Sequence, residues 1–62
     1  IRGISTKKEV LEMALSLEKE AFNLFTEASA KSKNPEVKKV FDFLVGFERN
    51  HVLLIEKELA AL

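Results

Sequence analysis

Asn34-Pro35 divides this chain into two apolar-patterned stretches of nearly equal length, and that division leaves few folds open. Asparagine is a strong helix N-cap, because its side-chain oxygen accepts from first-turn amides that have no partner within the helix. Proline suits the first helical turn, where its missing N–H costs nothing. Glu36 places a negative charge at the positive end of the helix dipole. Upstream, Thr6 with Glu9 fits a capping box: the hydroxyl can accept from the amide three residues on, and the carboxylate can reach back. The sequence therefore predicts a helix over about residues 6–30, a short link over 31–34 and a second helix over about 35–60. Each helix has roughly 25 residues, or about 37 Å at 1.5 Å per residue. No strand pattern occurs. A link this short joins antiparallel neighbours. The expected fold class is all-α, a single antiparallel two-helix hairpin over residues 1–62.

The faces of these helices carry the second signal. On the first helix, Leu11, Ala14, Glu18, Ala21, Phe25 and Ala28 recur at spacings of three and four. On the second, Val37, Phe41, Leu44, Glu48, His51, Ile55 and Leu62 share one face. Both stripes are interrupted by polar residues that should point into a core. Burying a carboxylate without a partner costs several kcal/mol, so something should compensate Glu48. A metal ion is the leading candidate. Glu18 and Glu48 lie at similar distances from the link, near about 22 Å. His51 follows Glu48 by one turn. Three potential ligands, Glu18, Glu48 and His51, therefore converge at one level between the helices. Glu20, Glu27 and Glu58 read instead as solvated charges.

The chain is also short of core. Sixty-two residues seldom bury enough surface alone. Without cysteine there are no disulfides, thiolate metal sites or iron–sulfur ligands. Phe22, Val40, Phe43, Phe47, Val52 and Leu54 lie beside the main stripes, so apolar surface exceeds one seam. Pairing with a second hairpin into a four-helix bundle buries that surface and doubles the ligands to four glutamates and two histidines. Di-iron carboxylate bundles follow the same plan: one Glu from each of two helices, and Glu-x-x-His from each of the others. Ten acidic and ten basic residues argue against nucleic acid as a partner. No apolar run approaches the roughly 20 residues that span a bilayer, and no signal peptide is visible, so a cytoplasmic setting is expected. The start at Ile1 rather than methionine fits a piece of something longer, with Ile1-Arg2-Gly3 as the tail of an upstream segment. Gly46, inside the second helix, costs about 1 kcal/mol relative to alanine and suggests a close approach by a neighbouring helix.

Leu17-Glu18-Lys19-Glu20-Ala21-Phe22-Asn23-Leu24-Phe25, Phe47-Glu48-Arg49-Asn50-His51 and the connecting Lys33-Asn34-Pro35-Glu36-Val37-Lys38-Lys39-Val40-Phe41 resemble one half of a rubrerythrin or ferritin-like di-iron protein. The similarity runs from about residue 9 to residue 59. It implies Glu18 as ligand of the first helix, Glu48 as a bridging or chelating ligand and His51 as ligand of one iron. It further implies two irons per pair of hairpins, with manganese or zinc fitting the same ligands. The expected activity is that of a ferroxidase- or peroxidase-type oxidoreductase reacting with dioxygen or peroxide. The implied partners are a second copy, as in encapsulated ferritins, and an electron donor that the residues do not identify. No catalytic acid or base separate from the ligands is evident. Three departures stand out. Phe25 occupies a position that is often tyrosine in rubrerythrins, the cysteine-rich rubredoxin domain is absent, and only one hairpin is present. The alternative reading is a helical dimerisation or assembly module, part of a larger protein, with a vestigial metal site.

Overall fold

The computed structural model describes residues 6–62. The expectations that fall on Ile1-Arg2-Gly3 lie outside the described residues. Two helices, α1 (Lys7–Lys31) and α2 (Pro35–Ala60), pack against each other, with no strand among the described residues. Contacts at both ends fix them as an antiparallel hairpin. Lys7, at the start of α1, lies 3.7 Å from Glu58 at the end of α2. At the link end, Ser29 donates to the Asp42 carboxylate and accepts from Lys38 at 3.0 Å.

The caps account for where each helix begins. The Thr6 hydroxyl accepts from the Glu9 amide at 3.1 Å and donates to the Glu9 carboxylate at 2.9 Å. The Asn34 side-chain oxygen accepts from the amides of Glu36 and Val37, at 2.9 and 3.1 Å. Those two bonds satisfy first-turn donors that the helix itself leaves open. The amide of Ser32 closes α1 on the Ser29 carbonyl at 3.2 Å, and the Ser32 hydroxyl donates to the Asn34 carbonyl at 3.1 Å. The link is thus tied to itself as well as to both helices.

Packing between the helices is real but thin. Phe25 and Phe41 meet with ring centroids 6.2 Å apart. Yet no hydrophobic side chain among the described residues is fully buried, and Ser29 is the one buried residue, at 5 % exposure. The stripes therefore form a seam rather than the core that the periodicity suggests. Two cylinders cover each other along one line, so each helix loses only a narrow strip of surface to the other. Val37 and Leu62, at the two ends of the second stripe, are exposed as well.

What remains uncovered is organised. Val10, Leu17 and Leu24 form an exposed apolar stripe on α1, and Val40, Phe43, Phe47 and Leu54 form one on α2. At 100° per residue, and with the helices antiparallel, both stripes fall on the same side of the hairpin. The opposite side carries the Lys19–Glu56 ion pair, at 3.8 Å. The surface totals 4925 Å², against about 4,000 Å² expected for a folded monomer of 7 kDa.

Within the hairpin, Gly46 marks no close approach of α1. A side chain built there meets nothing within 4 Å. Gly46→Ala should accordingly raise stability by up to about 1 kcal/mol in urea unfolding, through helix propensity alone. In the same assay Asn34→Ala should cost about 1 kcal/mol, because it strips the cap of α2.

Candidate metal centre

Glu18 is supplied by α1, and Glu48 and His51 by α2. The three-residue spacing on α2 sets its two side chains on one face, about 4.5 Å apart along the axis. The structure brings all three residues together. The His51 Nδ1 lies 3.3 Å from Glu18 Oε2 and 3.8 Å from Glu48 Oε2. One donor atom from each residue falls within 4.8 Å of the other two. Donors bound to one ion by bonds of 2.0–2.2 Å sit about 3 to 3.5 Å apart, so a group spread over as much as 4.8 Å needs a contraction of about 1.3 to 1.8 Å to reach that spacing.

The three side chains differ in their access to water. The Glu48 side chain is 13 % exposed, while that of His51 is 41 % exposed. Glu48 faces the seam, where both helices cover it. His51 sits one helical turn from Phe47 and from Leu54, next to the exposed apolar stripe of α2. Phe47 meets the imidazole edge-on, with ring centroids 4.3 Å apart. That contact limits the rotation of the His51 ring and holds Nδ1 toward the two carboxylates. The sequence places Phe47 beside the main stripe but gives no sign of this packing role.

Glu48 is the anomaly of the group. Its Oε2 is shielded from solvent and has no hydrogen-bond partner. Hydrogen bonding to the Glu18 carboxyl holds the Glu48 carboxyl above the usual carboxylate range. Partial burial and the Glu18 charge push the same way, and His51 opposes them. A shielded oxygen without a donor, beside a second carboxylate and an imidazole, is the environment a divalent cation relieves. The residues therefore fit a metal. Carboxylate and imidazole ligands suit iron, manganese or zinc rather than soft ions.

Other acidic residues lie elsewhere. Glu20 is exposed, Glu27 pairs with Lys31 at 2.6 Å, and Glu58 pairs with Lys7. The Ser29–Asp42–Lys38 cluster, 13 residues apart in sequence at its ends, has no counterpart in the periodicity. Only the Lys38/Asp42 spacing of four, with its 3.6 Å ion pair, is visible in advance.

Di-iron carboxylate bundles draw a Glu from some helices and Glu-x-x-His from others, and the two helices of this hairpin carry one of each. The sequence model of the rubrerythrin family matches residues 9–62, and the chain belongs to that family. No curated protein and no solved structure gives a significant match.

Glu48→Gln separates the metal role from a packing role. The amide removes a carboxyl whose ionisation opposes folding, so the metal-free protein should be as stable as the parent or more so at neutral pH. Metal binding should fall sharply in the same variant. The pH dependence follows from the same shift. The Glu48 carboxyl binds its proton more tightly in the hairpin than in the unfolded chain. The metal-free parent therefore loses this contribution as pH rises from the ordinary carboxylate range through the raised value. Thermal unfolding between about pH 4.5 and neutrality should show that slope in the parent and a shallower one in Glu48→Gln.

Proposed function

We propose that this chain is one half of a non-haem di-iron protein of ferroxidase or peroxidase type, completed by a second copy of itself. The observation that carries the reading is the solvent-shielded, partnerless Glu48 Oε2 within reach of Glu18 and His51. Bound there, iron supplies the electrons that reduce dioxygen or peroxide.

The chain's own residues do the rest. Glu18 and Glu48, taken twice, bring four negative charges, which match two divalent ions. Each carboxylate can shift between terminal and bridging positions as metal charge changes, so Glu48 is the natural bridging group from its place in the seam. His51 offers Nδ1 as a neutral donor, steadied by Phe47. Protons compete with metal at all three ligands, so metal affinity falls as pH falls. Phe25 leaves the site without a nearby phenol. Among these 62 residues there is no tyrosine, tryptophan or cysteine to relay electrons, so electrons that re-reduce the site come from outside this stretch.

Pairing rests on a separate line of support. His51 opens toward the side that carries the exposed stripes of Val10, Leu17 and Leu24 and of Val40, Phe43, Phe47 and Leu54. A second hairpin laid on that side would cover the stripes and bring its own ligands to the same level. Each apolar side chain that moves from half exposed to buried adds about 1 kcal/mol to association. Among the described residues no helix is long and apolar enough to cross a membrane. The same stripes also favour the rival reading, an assembly module with a vestigial site. That module would unfold at one temperature with or without metal, whereas a true site raises the midpoint when loaded.

Anaerobic loading with ferrous iron should give about one iron per chain, two per pair. His51→Ala should lose most of it. Leu54→Asp, which changes a side chain already exposed in the hairpin, should lower both the solution mass and the bound iron. A single-chain Leu54→Asp protein that keeps its full iron would contradict the proposal.

A further inference from the structure

The side of the hairpin away from the apolar stripes is not uniformly polar. Phe22 from α1 and Val52 and Leu53 from α2 floor a groove of about 290 Å³, rimmed by Lys19, Asn23 and Arg49. Small-ligand sites start at about 300 Å³, so the groove suits a ligand of a few carbons and no more. Residues 19 to 23 and 49 to 53 each advance about 6 Å along their helices, which matches a short aliphatic chain lying between them.

The charges on the rim are unbalanced. Lys19 faces Glu56 at 3.8 Å. Arg49 makes no hydrogen bond or ion pair with any described residue, although it stands beside an apolar floor. An unpaired guanidinium next to apolar surface is complementary to a group that is anionic at one end and apolar along its length. Its planar fork favours carboxylate, which it can bind through two parallel N–H···O bonds. Asn23, on the opposite rim, adds an amide donor.

We propose that this groove binds a short-chain aliphatic carboxylate, with Arg49 holding the head group and Phe22, Val52 and Leu53 covering the chain. The site is independent of the metal centre, because it faces the other way and uses none of Glu18, Glu48 or His51. A second hairpin seated on the apolar stripes leaves it open. Binding here adds a ligand to the outer surface of the protein without passing through the seam.

Pentanoate titrated into the full chain, followed by amide NMR shifts, tests this directly. The amides of Phe22, Asn23, Val52 and Leu53 should move in a saturable way, with a dissociation constant on the order of millimolar for so small a ligand. Pentanol, which lacks the charge, and pentylammonium, which reverses it, should bind at least about fivefold more weakly. Arg49→Gln should weaken pentanoate by a similar factor and bring it level with pentanol. Leu53→Glu, which sets a like charge on an exposed position of the floor, should abolish binding and serves equally if Arg49→Gln does not fold. Pentanol binding as tightly as pentanoate would overturn the proposal. So would Arg49→Gln with unchanged affinity, or shifts confined to Leu17, Leu24 and Phe47 on the other side.

Discussion

The Glu48 carboxylate stands between two helices with one oxygen out of water and no donor to meet it. A hairpin built only for stability would put leucine there, as it does at Leu44 one turn earlier. The cost of shielding that oxygen is offset by whatever binds it, and the neighbours narrow the choice. Glu18 is a second carboxylate, whose hydrogen bond and charge raise the proton affinity of Glu48. His51 contributes a lone pair rather than a fixed charge. A proton shared between the two glutamates is one way to relieve the group. A divalent cation is a better one, because it neutralises both acids and uses the imidazole as well.

The same geometry that leaves Glu48 Oε2 without a donor leaves the fold half-covered. Two helices touch along a single seam, and this one is filled by Phe25, Phe41, Leu44 and the ligand group. A quarter-turn away on one side, seven large apolar residues stay exposed. In the account proposed above, one event repairs both deficits. A second copy covers the stripes, excludes water from His51 and supplies the remaining ligands. The orphaned oxygen and the uncovered face support that proposal apart from family membership.

Much of this was legible in the sequence, for identifiable reasons. Asn34-Pro35 and Thr6/Glu9 are local signals, and local hydrogen bonds realise them in the structure. The convergence of Glu18 with Glu48 followed from similar distances to the link, a consequence of helix rise, and His51 followed one turn further along the same face. Other features depended on three-dimensional contacts that periodicity does not encode. Ser29 reads as one more small residue near the end of α1, yet it is the one buried residue among those described because Asp42 and Lys38 fold over it. Gly46 suggested a neighbouring helix, but it faces away from α1 into open space. The expected core was really a seam, because periodicity reports which face is apolar and not how much of that face a single partner can cover.

The central claim is that metal site and assembly are one equilibrium, since each copy supplies half of the ligands. Iron affinity measured across a range of protein concentrations, with solution mass followed in the same samples, tests that claim most directly. Mass action requires metal to favour the paired state if it binds there more tightly. The account predicts that apparent affinity rises with protein concentration, and that added iron shifts the mass from one chain toward two. An affinity that stays constant while the mass changes from one chain to two would contradict it.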